Sequence, residues 1–290
     1  MLTWKKVTTI LFIILMATGV YLYYSFTFFT PPKITLFSPK SVHYQRSKQN
    51  ETTLCYHADT PTQPITQSEL QLLVWNIHKG MDSGWQAQLE QFSQQADILL
   101  LQEVSSHQAL NTLMAQSFPY FLYTTSFSYH NAFSGIGTLS YFAPQTYCGS
   151  TTKEPWIQIP KTGSATTYSL ANGQSLLVVN LHLVNFEWNP TNYRQQLSQA
   201  FELIATHQGP IILAGDFNTW NSGRLTLVRE LADTQGFQQV VFQPDVRLHF
   251  FNNPLDHIFV KGLSIVSATT QTTSSSDHNP LFVKLKLEQP

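Results

Sequence analysis

With 290 residues, 42% hydrophobic and 13% aromatic, the chain has material for one or two domains and a large core. Its 16 basic and 17 acidic residues nearly cancel, to a net charge of −1, and charged residues make up only 11% of the chain. A dedicated duplex-DNA binder needs a basic face to meet phosphates, and no basic run supplies one here, although nucleic acid is permitted as a substrate.

Residues 7–24, VTTILFIILMATGVYLYY, carry no charge across 18 positions, with Lys5 and Lys6 before them and Pro31-Pro32 after. The run is apolar on every face, which does not suit a half-buried globular helix. It is long for the core of a signal peptide, and SFTFFT at 25–30 offers no small-x-small cleavage site. Residues 1–30 are therefore read as an uncleaved membrane anchor or signal-anchor. Lys5 and Lys6 favour a cytoplasmic N-terminus and an extracytoplasmic domain, against the pull of Lys33, Lys40, Arg46 and Lys48. Cys55 and Cys148 are the only cysteines. An even pair suits an oxidising compartment, but two buried free thiols would leave the same trace.

Residues 31–66 are rich in Pro, Ser, Thr, Gln and Lys without sustained periodicity, and read as a linker with one short strand at 34–37. The globular domain is expected to span 67–290. Strand 70–76 ends on Asn76, a helix at 85–95 follows with Trp85, Leu89 and Phe92 on one face, and strand 97–102 delivers Glu103. Strand, helix, strand implies a parallel βαβ unit. A second amphipathic helix at 107–116 precedes a strand at 120–124. Short runs at 135–142, 156–159, 166–170 and 175–183 are punctuated by Pro and Gly, with Asn172-Gly173 as a hairpin turn, and imply antiparallel pairing. The last of them places His182 at its end. Helix 192–207 leads into strand 211–214, after which come a helix at 224–231 and strands at 239–242, 255–260, 264–268 and 281–287. The implied fold class is α/β (α+β): a four-layer sandwich of two packed mixed β-sheets with helices outside.

Several strand ends carry polar groups that a core does not need: Asn76, Glu103, His182, Asp216 with Asn218, and Asp256; the last loop adds Asp277 and His278. In α/β sheets such ends converge on a crevice. The oxygen ligands Asn76, Glu103 and Asp277 suit a hard cation such as Mg²⁺, which keeps several waters and meets substrate phosphate. Asp216 is equipped to accept a proton or bind a metal, and Asn218 to donate a hydrogen bond to a developing anion. Asp followed by Asn is also ordinary turn chemistry, and a buried Asp–His pair can be purely structural. His257, next to Asp256, should point to the opposite face by strand alternation and is read as structural. His78 and Lys79 are read as a solvated loop.

The pieces WNIHKG (75–80), LLLQEV (99–104), GIGTLS (135–140), NLHL (180–183), GDFN (215–218), LDHIF (255–259) and SDHNP (276–280) resemble, in order, motifs of the endonuclease/exonuclease/phosphatase (DNase I-like) superfamily. The likeness is to its membrane-anchored or exported bacterial members of unassigned substrate. The resemblance implies that Glu103 is the principal Mg²⁺ ligand, with Asn76 and Asp277 beside the metal and Mn²⁺ as a substitute. It implies that Asp216 aligns or deprotonates the attacking water, that Asn218 binds the scissile phosphate, and that His278, oriented by Asp256, contacts a phosphate oxygen. His182 stands where DNase I-like and sphingomyelinase-like members have His and apurinic endonucleases have Tyr. Tyr141 stands where many relatives have Arg, a departure expected to alter phosphate contacts. Arg194 lies in the helix that follows the His182 strand, as an Arg does in relatives. The expected reaction is Mg²⁺-dependent hydrolysis of a phosphodiester in nucleic acid or a phospholipid or inositol-phosphate headgroup. A catalytically silent, membrane-anchored binding module is the alternative. No protein partner is implied, and a monomer is the default.

Overall fold

The structure, a computed structural model, describes residues 4–39, 42–48, 50–187 and 189–287. Two large sheets face each other. The first contains β1 (Phe26–Phe37), β4 (Glu69–Asn76), β5 (Ile98–Ser105), β6 (Tyr120–Tyr129), β7 (Ala132–Ser140), β16 (Leu263–Thr270) and β17 (Leu281–Leu287), in the order β1-β6-β7-β5-β4-β17-β16. The second contains β2 (Tyr44–Lys48), β3 (Thr53–Ala58), β8 (Thr146–Lys153), β9 (Pro160–Ser169), β10 (Ser175–His182), β11 (Ile211–Asp216), β12 (Gln238–Gln239) and β15 (Asp256–Lys261), in the order β12-β15-β11-β10-β9-β8-β3-β2. A small hairpin, β13 (His249–Phe250) and β14 (Asn253–Pro254), stands apart from both. The helices are α1 (Trp4–Ser25), α2 (Trp85–Ser93), α3 (Leu110–Leu113), α4 (Thr191–Ala205) and α5 (Ser222–Thr234).

Strand alternation explains the layers. Leu72, Val74, Ile98 and Leu100 from the first sheet meet Val178, Ile212, Ala214 and Ile258 from the second in a central core. The intervening residues point outward: Leu73, Trp75, Leu99 and Leu101 pack under α2 and α3, and Val179, Leu181 and Leu213 under α4 and α5. Strands buried on both faces read as continuous apolar runs, which is why 98–101 and 211–214 carry no polar break. The parallel pairs are β4 with β5 and β10 with β11, as the βαβ pattern implies. The arrangement is the expected mixed α/β fold.

Residues 31–66 depart most from expectation. They are not a linker: they supply the second half of β1 and all of β2 and β3, with β1 and β2 as sheet edges. An edge strand is half solvated and tolerates Pro and charge, so its composition looks like a loop. A register shift between Phe28 and Lys33 takes up Pro31-Pro32. Cys55 and Cys148 face each other in the β3–β8 ladder and form a disulfide, closing the question the sequence leaves open.

The strand expected at 156–159 is a turn, and β9 starts at Pro160. Trp156 and Ile157, the apolar pair that suggested it, are 57% and 45% exposed. The helix expected at 107–116 breaks at Ala109, whose φ is +47°, into a 3-10 turn and the one-turn α3. α1 is apolar and exposed from Trp4 to Tyr24, with its last residue, Ser25, buried, and its 22 residues span about 33 Å, enough for a membrane anchor or a signal sequence.

Candidate active site

The site is built on the register of three strands. Asp216, the last residue of β11, pairs with His182 at the end of β10 and with Asp256 at the start of β15. Three polar side chains thus leave the second sheet at one level. Gly215 makes the close approach possible: its φ is +136°, and a Cβ there would lie 2.0 Å from the Leu181 carbonyl oxygen. The first sheet meets this row across the sandwich, where the Asn76 side-chain amide donates to Asp216 Oδ2 at 3.1 Å. Beneath it Gln102 donates to Asn180 Oδ1 at 2.7 Å, and Asn180 donates to the carbonyls of Leu101 and Gly137, a buried polar tie between the sheets.

Glu103 leaves the ladder at a bulge. The β5–β7 register shifts between Leu101 and Val104, and Glu103 takes a left-handed φ of +52°. Outliers of this kind persist where surrounding structure holds them, often at functional positions. Its carboxylate pairs with the Lys79 ammonium and lies 4.0 Å from His182 Nε2. Lys79 is therefore a half-buried partner of the site, contrary to its reading as a solvated loop residue. Burial pushes the Glu103 carboxyl up, but His182, Lys79 and Lys161 outweigh it and hold the group down at about 2. Burial also keeps His182 well below its ordinary value, reinforced by Lys161.

Asp216 accepts from Asn218 N at 2.9 Å, and Asn218, with a φ of +49°, donates from its side chain to the Leu183 carbonyl at 2.9 Å. The second amide hydrogen of Asn218 is left for another acceptor. Burial pushes the Asp216 carboxyl up, His278 and Lys161 pull it back, Asp256 adds to the rise, and the balance stands at about 6. His278 Nδ1 sits 2.7 Å from Asp256 Oδ2. Burial works against charge on this imidazole, but the Asp256 ion pair and the Asp216 carboxylate win and raise it to about 10. Asp256 Oδ1 is buried without a hydrogen-bond partner among the described residues.

Trp75 Nε1 donates to the His278 carbonyl at 2.9 Å and Ser276 Oγ to the Asn76 carbonyl at 2.6 Å, and these bonds tie the last loop to the end of β4. Asp277 lies at the rim, half exposed, 3.8 Å from His78 Nδ1. Asn76, Glu103, His182, Asp216, Asn218, Asp256 and His278 thus form one connected set, with Asp277 at its edge.

Several contributors went unread in the sequence. Lys161, from β9, lies 2.8 Å from His182 Nε2 and lines a cleft of about 290 Å³ with Lys79, Glu103 and His182. The buried Arg224 donates to the carbonyls of Val184, Asn185, Glu187 and Asn218, and so holds the loops on either side of the site. Its position before an apolar helical run signals only a helix start. His257 is a satisfied core histidine, bonded to Thr219 Oγ1 at 2.7 Å and to the Pro254 carbonyl at 3.1 Å. Tyr141 packs at a tilt against Phe118 at the Asp97 end of β5, the opposite end from Glu103, so it does not reach the phosphate position expected of it. Arg194 is exposed on α4.

Two places have the donors for a cation. Asp216, Asp256 and His278 offer ligand atoms within 4.8 Å of one another, but a protonated imidazole has no lone pair for a metal. Glu103 already carries an ammonium on its carboxylate, and together with the oxygens of Asn76 and Asp277 it has the donor chemistry of a hard-cation site.

The profile of the endonuclease/exonuclease/phosphatase family matches residues 73–278, from the middle of β4 to His278. The chain belongs to that family. Its members are generally metal-dependent hydrolases, and the site lies at the strand ends inside the matched region. A UPF0294 protein of Vibrio vulnificus is 41% identical over 239 residues, covering 82% of this chain and 84% of that one. A UPF0294 protein of Yersinia pestis is 36% identical over 225 residues, covering 77% and 86%. Among solved structures, D. rerio TDP2 complexed with single-strand DNA product superposes with a TM-score of 0.56 at 17% identity, over 76% of this chain and all of that one. An endonuclease/exonuclease/phosphatase from Beutenbergia cavernae gives 0.57 at 15% identity, over 76% of this chain and 72% of that one. These two likenesses concern the fold.

Proposed function

We propose that this chain is a Mg²⁺-dependent phosphodiesterase, with Mn²⁺ as a substitute, acting by in-line attack of water on phosphorus. The observation that carries the reading is the register that sets His182, Asp216 and Asp256 level, with Asp216 and the Asp256–His278 pair within 4.8 Å. Glu103, Asn76 and Asp277 would hold the ion, which supplies charge neutralisation at the phosphate. Asp216, poised at about 6, aligns the water and takes its proton at neutral pH. The His278 imidazolium, charged and aimed by Asp256, donates to a phosphate oxygen. Asn218 donates its remaining amide hydrogen to the same phosphate, and His182 with Lys161 flanks the position of the leaving oxygen. The N-terminal helix anchors the domain, and the disulfide supports an extracytoplasmic location.

The test is the purified chain with Mg²⁺ or EDTA against plasmid DNA, RNA, sphingomyelin and a bis-aryl phosphodiester. Metal-dependent turnover of at least one, lost in Asp216→Ala, is expected. Well-folded protein without turnover of any would favour a silent binding module. A reporter fused after Pro290 tests the membrane side, with a cytoplasmic signal counting against export.

A further inference from the structure

We infer that the substrate is a phospholipid phosphodiester taken from the bilayer surface, one acyl chain entering an aromatic pocket beside Asn218; this rests on the phosphodiesterase reading above. The first observation is how α1 joins the domain. It ends at Ser25 and β1 begins at Phe26, with no residue between. The tip of the β6–β7 hairpin is clamped to its last turn: Tyr21 Oη lies 2.8 Å from Tyr129 Oη and 3.0 Å from His130 Nε2, and His130 N donates to the Ser25 carbonyl. Tyr23 and Tyr24, 79% and 82% exposed, stand at this end, where a spanning helix meets the headgroups.

The same hairpin forms a wall of the catalytic cleft. Phe26 packs on Tyr129 at 4.8 Å and on Phe127 at 6.2 Å, and Phe127 lines the cleft that holds Glu103 and His182. Tyr129 lies two residues along β6 from Phe127, with Ser128 between them, so the wall lies about 7 Å from the clamp. Phe186, half exposed, lines the same cleft and is shared with a neighbouring cavity of about 520 Å³. Trp156, Trp220, Phe250 and Phe251 line that cavity, and Asn218 borders it. Phe251, 83% exposed, is presented at the β13–β14 turn by left-handed backbone at Phe251 and Asn252. Trp188, two positions after Phe186, lies outside the described residues.

Charge favours lipid over polynucleotide. The cleft's lysines are engaged by Glu103 and His182, and the chain's net charge is −1. A nucleic acid gains its affinity from a row of phosphate contacts, whereas a phospholipid presents a single phosphodiester and an apolar tail. Exposed aromatics around a single-phosphate cleft suit the latter.

The experiment uses the full chain in phosphate-free vesicles of digalactosyl diacylglycerol, supplied with Mg²⁺. Initial rates are measured on dibutanoyl, dipentanoyl and dihexanoyl phosphatidylglycerol, single-stranded DNA and bis(p-nitrophenyl) phosphate. KM is expected to fall about fourfold per added methylene while the chain fills the pocket. Phe251→Ser, at an exposed turn, should flatten that dependence and raise the KM for the dihexanoyl lipid about tenfold. Turnover of the bis-aryl diester with no chain-length dependence, or with DNA preferred, overturns the lipid inference and leaves the phosphodiesterase reading standing. Absence of turnover on every substrate overturns the phosphodiesterase reading itself. In that case dihexanoyl phosphatidylglycerol is titrated against the fluorescence of the pocket tryptophans, and an unchanged signal overturns the pocket as well.

Discussion

Replacing Asp256 by Asn keeps the shape of the Asp256–His278 pair and removes its charge. The imidazole is buried among His182, Asp216 and the end of β4, and burial alone would push its pKa below the ordinary 6.5; the pair instead raises it to about 10. At about 1.4 kcal/mol per unit, the carboxylates supply on the order of 5 kcal/mol of preference for the imidazolium. In Asp256→Asn the group should titrate at or below about 6.5, so at pH 8 roughly 3% or less carries the proton. If the imidazolium donates to the phosphate, kcat/KM at pH 8 should fall about 30-fold or more, in proportion to the lost protonated fraction. The pH profile is the sharper readout. The wild-type basic limb should lie near 10, and that of Asp256→Asn should move below about 7. Stability follows the same linkage. Because the folded pKa is raised, the pair stabilises the protein fully below the unfolded value near 6.5, and this contribution is lost as pH rises through about 10. Urea midpoints should therefore fall between these values in the wild type and less so in the variant. A basic limb that stays put in a folded Asp256→Asn protein would refute the charge argument.

Gly215→Ala should cost several kcal/mol, on the order of 3 or more, because its Cβ would enter the Leu181 carbonyl and its φ disfavours any other residue; denaturant unfolding measures it. Arg224→Met should destabilise by about 3–5 kcal/mol by taking the guanidinium from the carbonyls of Val184, Glu187 and Asn218, while that of Asn185 keeps Trp220 Nε1 and Glu187 N, and any folded fraction should show a lower kcat through loss of the Asn218 loop. Burial holds His257 down to about 3, so it stays neutral in the fold while the unfolded chain protonates near 6.5. Stability from this residue is complete above about 6.5 and lost as pH falls toward 3, at up to about 1.4 kcal/mol per unit; His257→Gln should flatten that acid slope in thermal melts.

The strands that build the site were legible because each is a buried run ending abruptly in a polar residue. Asn76, Glu103, His182 and Asp216 each end or follow such a run, and parallel order brings those ends together. Lys161 was not legible: it enters from the start of β9, where Trp156 and Ile157 drew the strand too early, and a lone Lys near Pro gives no periodic signal. Arg224 was hidden for a different reason, since its partners are backbone carbonyls and no residue type marks them. Tyr141 shows the reverse error, a position whose sequence neighbours suggested phosphate contact while the antiparallel register puts it at the far end of β7. Of the edge strands, only residues 34–37 of β1 were legible and β2 escaped, because half-solvated backbone pairing needs no apolar code.

The bond from Asn76 to Asp216 joins the two sheets at the place where chemistry would occur, beside an Asp256 oxygen buried without a partner among the described residues. A rivet made of such groups is a weak fastener: an uncompensated buried oxygen costs on the order of 1–3 kcal/mol, which an apolar pair of the same volume would recover. Apolar replacement of both members of each pair, Asn76 with Asp216 and Asp256 with His278, should therefore give a sturdier, inert sandwich, whereas removing one member alone leaves its partner buried and unpaired. The working protein carries its reactive groups as a standing debit against its own thermal tolerance.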